Sequence, residues 1–216
     1  MAIRVSGWFA IILFLVSSSM PRIAVADHID HPTKSAFTQI QLRRLLRTKI
    51  ETISEIANNP IVIGAVRKQN RKALPQAAIE QIDAQWQAES SDTAFKTSLQ
   101  ENEAGRYFQS LIDFNESIYS EAFVTDRRGA NVAAYPATTD YWQGDEEKWS
   151  ASYADGAGEV FVGKIEFDES SKTTAIQISV PVMDRNEAIG VLIVGIHLTY
   201  VQAKYLEGTK APAAAR

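Results

Sequence analysis

Helical spacing of apolar residues governs the first half of this chain. From Lys34 to Asn58 they fall at Phe37, Leu42, Leu45, Leu46, Ile50, Ile53, Ile56 and Ala57, with no Gly or Pro between them. This i, i+3, i+4 pattern predicts one amphipathic helix over 34–58, roughly 37 Å long. "NNP" at 58–60 stops it, and Asn59-Pro60 opens the next helix, "PIVIGAVRKQN". Pro75 opens another over "PQAAIEQIDAQWQAE", and "TAFKTSLQ" and "EAGRYFQSLIDFN" complete the helical part. Near Ser117 the pattern changes to short β-branched and aromatic runs. "SIYSEAFVT" (117–125) and "ANVAAYP" (130–136) read as a hairpin across "DRRG", where Gly129 can take positive φ. Three further strands are expected at 159–168, 173–184 and 187–198, joined by the polar connections "DESSK" and "DRNE". Hairpin-length links make the sheet mostly antiparallel. Between the second and third strands lies "TDYWQGDEEKW" (139–149), a loop running into a short helix. The expected fold class is α+β, with a long first helix and small helices packed on five strands.

The ends of the chain read differently. "WFAIILFLV" (8–16) follows Arg4 and precedes "AVA" at 24–26, the pattern of a secretory signal peptide cleaved after Ala26. The alternative is retention of 8–16 as an anchor, although the run is much shorter than the ~20 residues of a spanning helix. The remaining organisation is a helical region 27–116, a sheet region 117–200 and a tail 207–216 without apolar periodicity, expected to be disordered. The whole chain carries 22 Lys+Arg and 26 Asp+Glu, a formal charge of −4. Losing Arg4 and Arg22 with the leader takes this to −6. An acidic chain without a basic stripe argues against nucleic acid as a partner, and none is expected. With no Cys there are no disulfides and no lipid-modified cysteine, which suits a periplasmic protein stabilised by packing alone.

The order of elements resembles the extracellular PAS-like sensor fold known as Cache, or PDC. "EAFVTDRRGANVAAYPATTDYWQGDEEKW" is similar to that family's strand–turn–strand run into a ligand-covering loop and helix. "QISVPVMDRNEAIGVLIVGIHL" is similar to its closing hairpin, and "NPIVIGAV" to its second-helix motif. The resemblance covers about 33–206 and implies a PAS-like sheet with a small-molecule pocket under the segment 139–153. It implies Trp142, Trp149, Tyr141 and Tyr153 as an aromatic lid; Tyr135, Tyr119, Lys164 and Gln177 are strand residues that can face the same cavity, although a one-residue slip in register would reverse each of them. The family's amino-acid clamp is not matched. Where Arg-x-Trp-Tyr and a last-strand Asp would stand, this chain has Glu147, Trp149, Ser150 and Gly195, so the ligand is not expected to be an amino acid. No apolar run long enough to span a membrane follows 200. A sensor of this kind would therefore report to a separate membrane-bound kinase, chemoreceptor or diguanylate cyclase. The 34–58 helix is also similar to those on which such domains form homodimers.

Each implied role has a plainer reading beside it. The aromatics of 139–153 can equally seal the core, and Asp145, Glu146 and Glu147 suit the first turn of a helix through its dipole. Arg43, Arg44, Arg47, Lys49, Glu51 and Glu55 on the first helix can be solvated charge rather than an interface. His28 and His31 in "DHIDH" fit no closed metal-site spacing, and His197 stands alone, so no metal or cofactor is expected. No G-x-S-x-G, H-E-x-x-H or phosphate-cradling glycine loop occurs, and the protein is not expected to be an enzyme.

Overall fold

The computed structural model describes residues 37–89 and 93–210. The expected signal segment 1–26, together with His28 and His31, lies outside the described residues. Where one helix is expected over 34–58, the structure has two segments, α1 (Gln39–Leu45) and α2 (Arg47–Ala57). Residues 34–36 are outside the described residues. Thr38 starts α1 with a capping box: its Oγ1 accepts from Gln41 N–H, and Gln41 Oε1 accepts from Thr38 N–H at 2.8 Å. The bend at Leu46 (φ −96°, ψ 3°) costs little, because Leu46 N–H still donates to Leu42 O at 2.9 Å and Leu46 O accepts from Ile50 N–H at 2.8 Å.

α3 (Pro60–Asn70) begins as its sequence requires, with Asn59 Oδ1 accepting from Ile61 N–H at 2.9 Å and Pro60 in the first turn. α4 (Gln76–Ala88), α5 (Ala94–Glu101) and α6 (Glu103–Asp113) follow. Asn102 both ends α5 and caps α6, its Oδ1 accepting from Gly105 N–H at 2.9 Å. Its Nδ2 donates to Val132 O at 3.0 Å, which ties the helix start to the sheet.

Five strands follow: β1 (Tyr119–Asp126), β2 (Asn131–Tyr135), β3 (Phe161–Asp168), β4 (Thr173–Asp184) and β5 (Glu187–His197). Their order is β2-β1-β5-β4-β3 and every neighbouring pair is antiparallel, so the expected α+β class holds. Gly129 takes φ 82° in the β1–β2 turn. α7 (Glu147–Tyr153) lies between β2 and β3 in sequence. The chain then continues from β5 directly into α8 (Leu198–Lys210), so helix runs through the first four residues of the tail expected to be disordered; 211–216 are outside the described residues. Val201 is the only residue buried in α8 among those described, which is why apolar periodicity did not reveal it. No described helix is long and apolar enough to cross a membrane.

Strand alternation sorts the core. Ala122 and Val124 of β1, Ile176, Ile178 and Val180 of β4, and Leu192, Val194 and Ile196 of β5 share one face with Leu46, Ile53, Val62, Val66 and Phe108 from the helices. This is the main core. The opposite face carries Phe123, Ala134, Val191 and Ile193, on which α7 lays Trp149 and Tyr153. A third cluster joins Ile79 and Trp86 of α4 to Ala130 and Tyr141.

Candidate functional site

The α7-covered face turns polar towards β3 and β4. Gln177 follows the same alternation as Ser179 on that face, and Glu121 sits there two strands further in, on β1 across Gly195 of β5. An open cleft of about 240 Å³ lies between the start of α7 and the outer strands, with Gln177, Phe161 and Lys164 in its wall. Five acids line it (Glu146, Glu147, Glu166, Asp168 and Glu169) against two lysines, Lys148 and Lys164. Lys148 is paired to Glu146 at 2.8 Å, and its ammonium stands 5.5 Å from the centre of the Phe123 ring.

Behind this wall Glu121 is 1% exposed. Burial, then the nearby Asp168 charge, pushes its carboxyl above the ordinary carboxylate range, against the donors Ser170 and Gln177 and the positive Lys148. Gln177 Nε2 donates to Glu121 Oε1 at 2.7 Å. Ser170 Oγ lies 2.7 Å from Glu121 Oε2 and 2.9 Å from each oxygen of Asp168. A hydroxyl has one hydrogen to give. All three groups are satisfied when Glu121 carries a proton towards Ser170 Oγ and Ser170 donates to Asp168. Asp168 also accepts from Ser171 N–H at 2.8 Å and from the Ser171 hydroxyl. Gly195 stands opposite Glu121 across the β1–β5 pair. A Cβ there would come within 2.9 Å of Glu121 Cγ and 2.3 Å of Ser120 Oγ, so glycine in this otherwise apolar strand makes room for the acid.

The segment before α7 is fastened elsewhere. Asp83 Oδ1 of α4 accepts from Tyr141 N–H at 2.8 Å and Trp142 N–H at 3.0 Å. Trp142 Nε1 donates to Arg128 O at 2.8 Å, and Gly129 and Gly144 meet so closely that a Cβ on Gly129 would lie 2.4 Å from Gly144 Cα. Asp140, next to Tyr141, is pushed up to about 6, chiefly by burial and then by Glu146. Burial raises the Tyr141 hydroxyl to about 12.

The eight residues expected around one cavity therefore fall into four places. Lys164 and Gln177 line the cleft. Trp149 and Tyr153 stack on each other (ring centres 4.9 Å apart, 13° between planes) and fill the space over Phe123 and Ile193 beside it. Tyr141 and Trp142 belong to the α4 cluster. Tyr119 and Tyr135 pack into the main core on the other sheet face and do not line the cleft. A one-residue change of register reverses facing, which is why sequence could not assign these strand tyrosines. Glu121, Asp168, Glu166 and Phe161 were not singled out from the sequence. Glu121 did leave a signal, as the one acid inside the run "SIYSEAFV".

No family model and no curated protein matches this chain. Among solved structures it is similar to the sensor domain of the Escherichia coli DcuS protein, at 15% identity and a TM-score of 0.45, over 77% of this chain and 98% of that one. It is similar to the sensor domain of the Vibrio cholerae histidine kinase DctB at 15% identity and a TM-score of 0.39, over 77% of this chain and 57% of that one. It is also similar to the sensory domain of the Campylobacter jejuni chemoreceptor Tlp3, solved with isoleucine bound, at 12% identity and a TM-score of 0.38, over 82% of this chain and 69% of that one. Each of the three is a sensor domain, and each is similar to this chain over 77–82% of its length.

Proposed function

We propose that this chain is an exported Cache-type sensor domain that binds a small molecule in the cleft between α7 and strands β3 and β4. In this reading it acts in the periplasm and passes its state to a membrane-bound kinase, chemoreceptor or diguanylate cyclase. One observation carries the proposal. The polar part of an otherwise apolar sheet face is left open as a cleft, while the neighbouring part of that face is sealed by Trp149 and Tyr153. A sheet needing only a cover would be sealed along its length. Lys164 and Gln177 serve as the residues that meet the guest, beside the part of the face that Trp149 and Tyr153 close. Mass spectrometry of small molecules released from the purified protein, followed by calorimetric titration, tests this. A stoichiometric guest whose affinity falls in Gln177→Leu supports it. No released compound, and no binder in a broad metabolite panel, would refute it.

A second reading has its own observation. Ile40 on α1 is 81% exposed, among the charged Arg43, Arg44 and Arg47. An apolar side chain so placed suits a homodimer or partner contact along the first helices. Light scattering on the protein and on Ile40→Glu separates the readings, since a dimer made there dissociates in the variant while ligand binding is unchanged.

A further inference from the structure

We propose that the cleft takes a small cationic amine, its ammonium N–H groups received by Gln177 Oε1 and the surrounding carboxylates. This names the guest of the site above and rests on that reading.

The charges point one way. Five acids face two lysines in the lining; with Glu146 paired to Lys148 and Glu169 to Lys172, each at 2.8 Å, Glu147, Glu166 and Asp168 remain against Lys164. Lys164 stands exposed on β3. A cleft walled by one sign of charge concentrates ligands of the opposite sign. The start of α7, which could otherwise offer N–H groups to an anion, presents Glu146 and Glu147 to the cleft.

The wall chemistry gives the same answer independently of the net charge. The buried Glu121 carboxyl accepts from Gln177 Nε2 at 2.7 Å and so fixes which end of that amide faces inward. Gln177 Oε1 is left as an acceptor, and no donor among the described residues reaches it. Glu121 is thus a positioning residue: it turns the wall into an acceptor surface without lining the cleft itself. The Phe161 ring in the lining adds an aromatic surface that attracts a cation and not an anion. At about 240 Å³ the cleft admits only a compact molecule.

The test is a titration of the purified full chain with three four-carbon compounds of matched length: 1,4-diaminobutane, 1,4-butanediol and succinate. The expected result is binding of the diamine alone, weakened by added salt. Glu166→Gln, on an exposed residue that leaves folding intact, should weaken the diamine about fivefold. Gln177→Leu should weaken it tenfold or more, with circular dichroism confirming that both variants fold. Tighter binding of succinate or butanediol overturns the cationic assignment and leaves the receptor reading standing. Diamine binding unchanged in both variants, or absent, also overturns it. Only a panel without binders of any charge would remove the receptor reading as well.

Discussion

Asp140 offers a test of the electrostatics beside the cleft. Its carboxyl is raised from 3.8 to about 6, first by burial and next by the neighbouring Glu146 charge. A tenfold change in an acid's dissociation constant is worth about 1.36 kcal/mol, which sets a ceiling of about 3 kcal/mol on the cost of ionising this group in the fold. Asp140 is partly exposed, so solvent screening reduces the expected figure to about 1–2 kcal/mol. A raised acid stabilises the fold fully below 3.8, and that contribution is lost as pH climbs through about 6. Asp140→Asn removes the charge and keeps Oδ1 to accept from Gln143 Nε2. The main-chain carbonyl of residue 140, which accepts from Asn131 Nδ2 at 3.0 Å, is untouched. Urea unfolding at pH 4 and pH 7.5 should show wild type and variant close together in acid. At pH 7.5 the variant should be more stable by about 1–2 kcal/mol, with unchanged m-values. Glu121 and Asp126, also raised by burial, tilt both proteins alike and cancel in the difference. A gap that does not change with pH, or a variant less stable at pH 7.5, would refute the argument that burial governs this carboxyl.

Other outcomes follow from the packing. Phe108→Ala, at a fully buried position in the main core, should cost about 3–5 kcal/mol in denaturant unfolding. Gly195→Ala should cost about 1–3 kcal/mol, because its Cβ meets Ser120 Oγ and Glu121 Cγ; a neutral result would show that Glu121 is freer to move than its burial implies. Glu121→Gln should be tolerated, since the amide can accept from Gln177 and donate to Ser170 Oγ as the protonated acid does. Its stability relative to wild type should rise with pH, because a raised carboxyl loses its stabilising effect as it ionises.

Much of the architecture was legible in the residues. Asn59-Pro60 fixed the start of α3, and the period-two run 173–184 set both ends of β4. Helix α8 was hidden because almost nothing in it is buried, and the bend at Leu46 because both segments continue the same apolar stripe. The site was only half readable. Gln177 and Lys164 emerged as strand residues, but the aromatics that drew attention in 139–153 are divided between two clusters by attachments made far away in sequence, through Asp83 and Arg128. Glu121 acquires its role from Gly195 and Ser170, 74 and 49 positions on, and no local pattern carries that information.

The bonds from Asn102 to Val132 O and from Asn131 N–H to Tyr141 O reach β2, the outermost strand on its side of the sheet. A free margin of this kind recruits strands from other molecules. Here a helix cap and the 139–143 loop occupy it, so oligomers that grow by adding strands to the sheet are discouraged at β2. At the opposite margin, β3, the guard is an irregularity between Val162 and Ile165 together with the charges of Lys164 and Glu166. Assembly with another protein is thereby steered away from sheet extension and towards the helical surfaces.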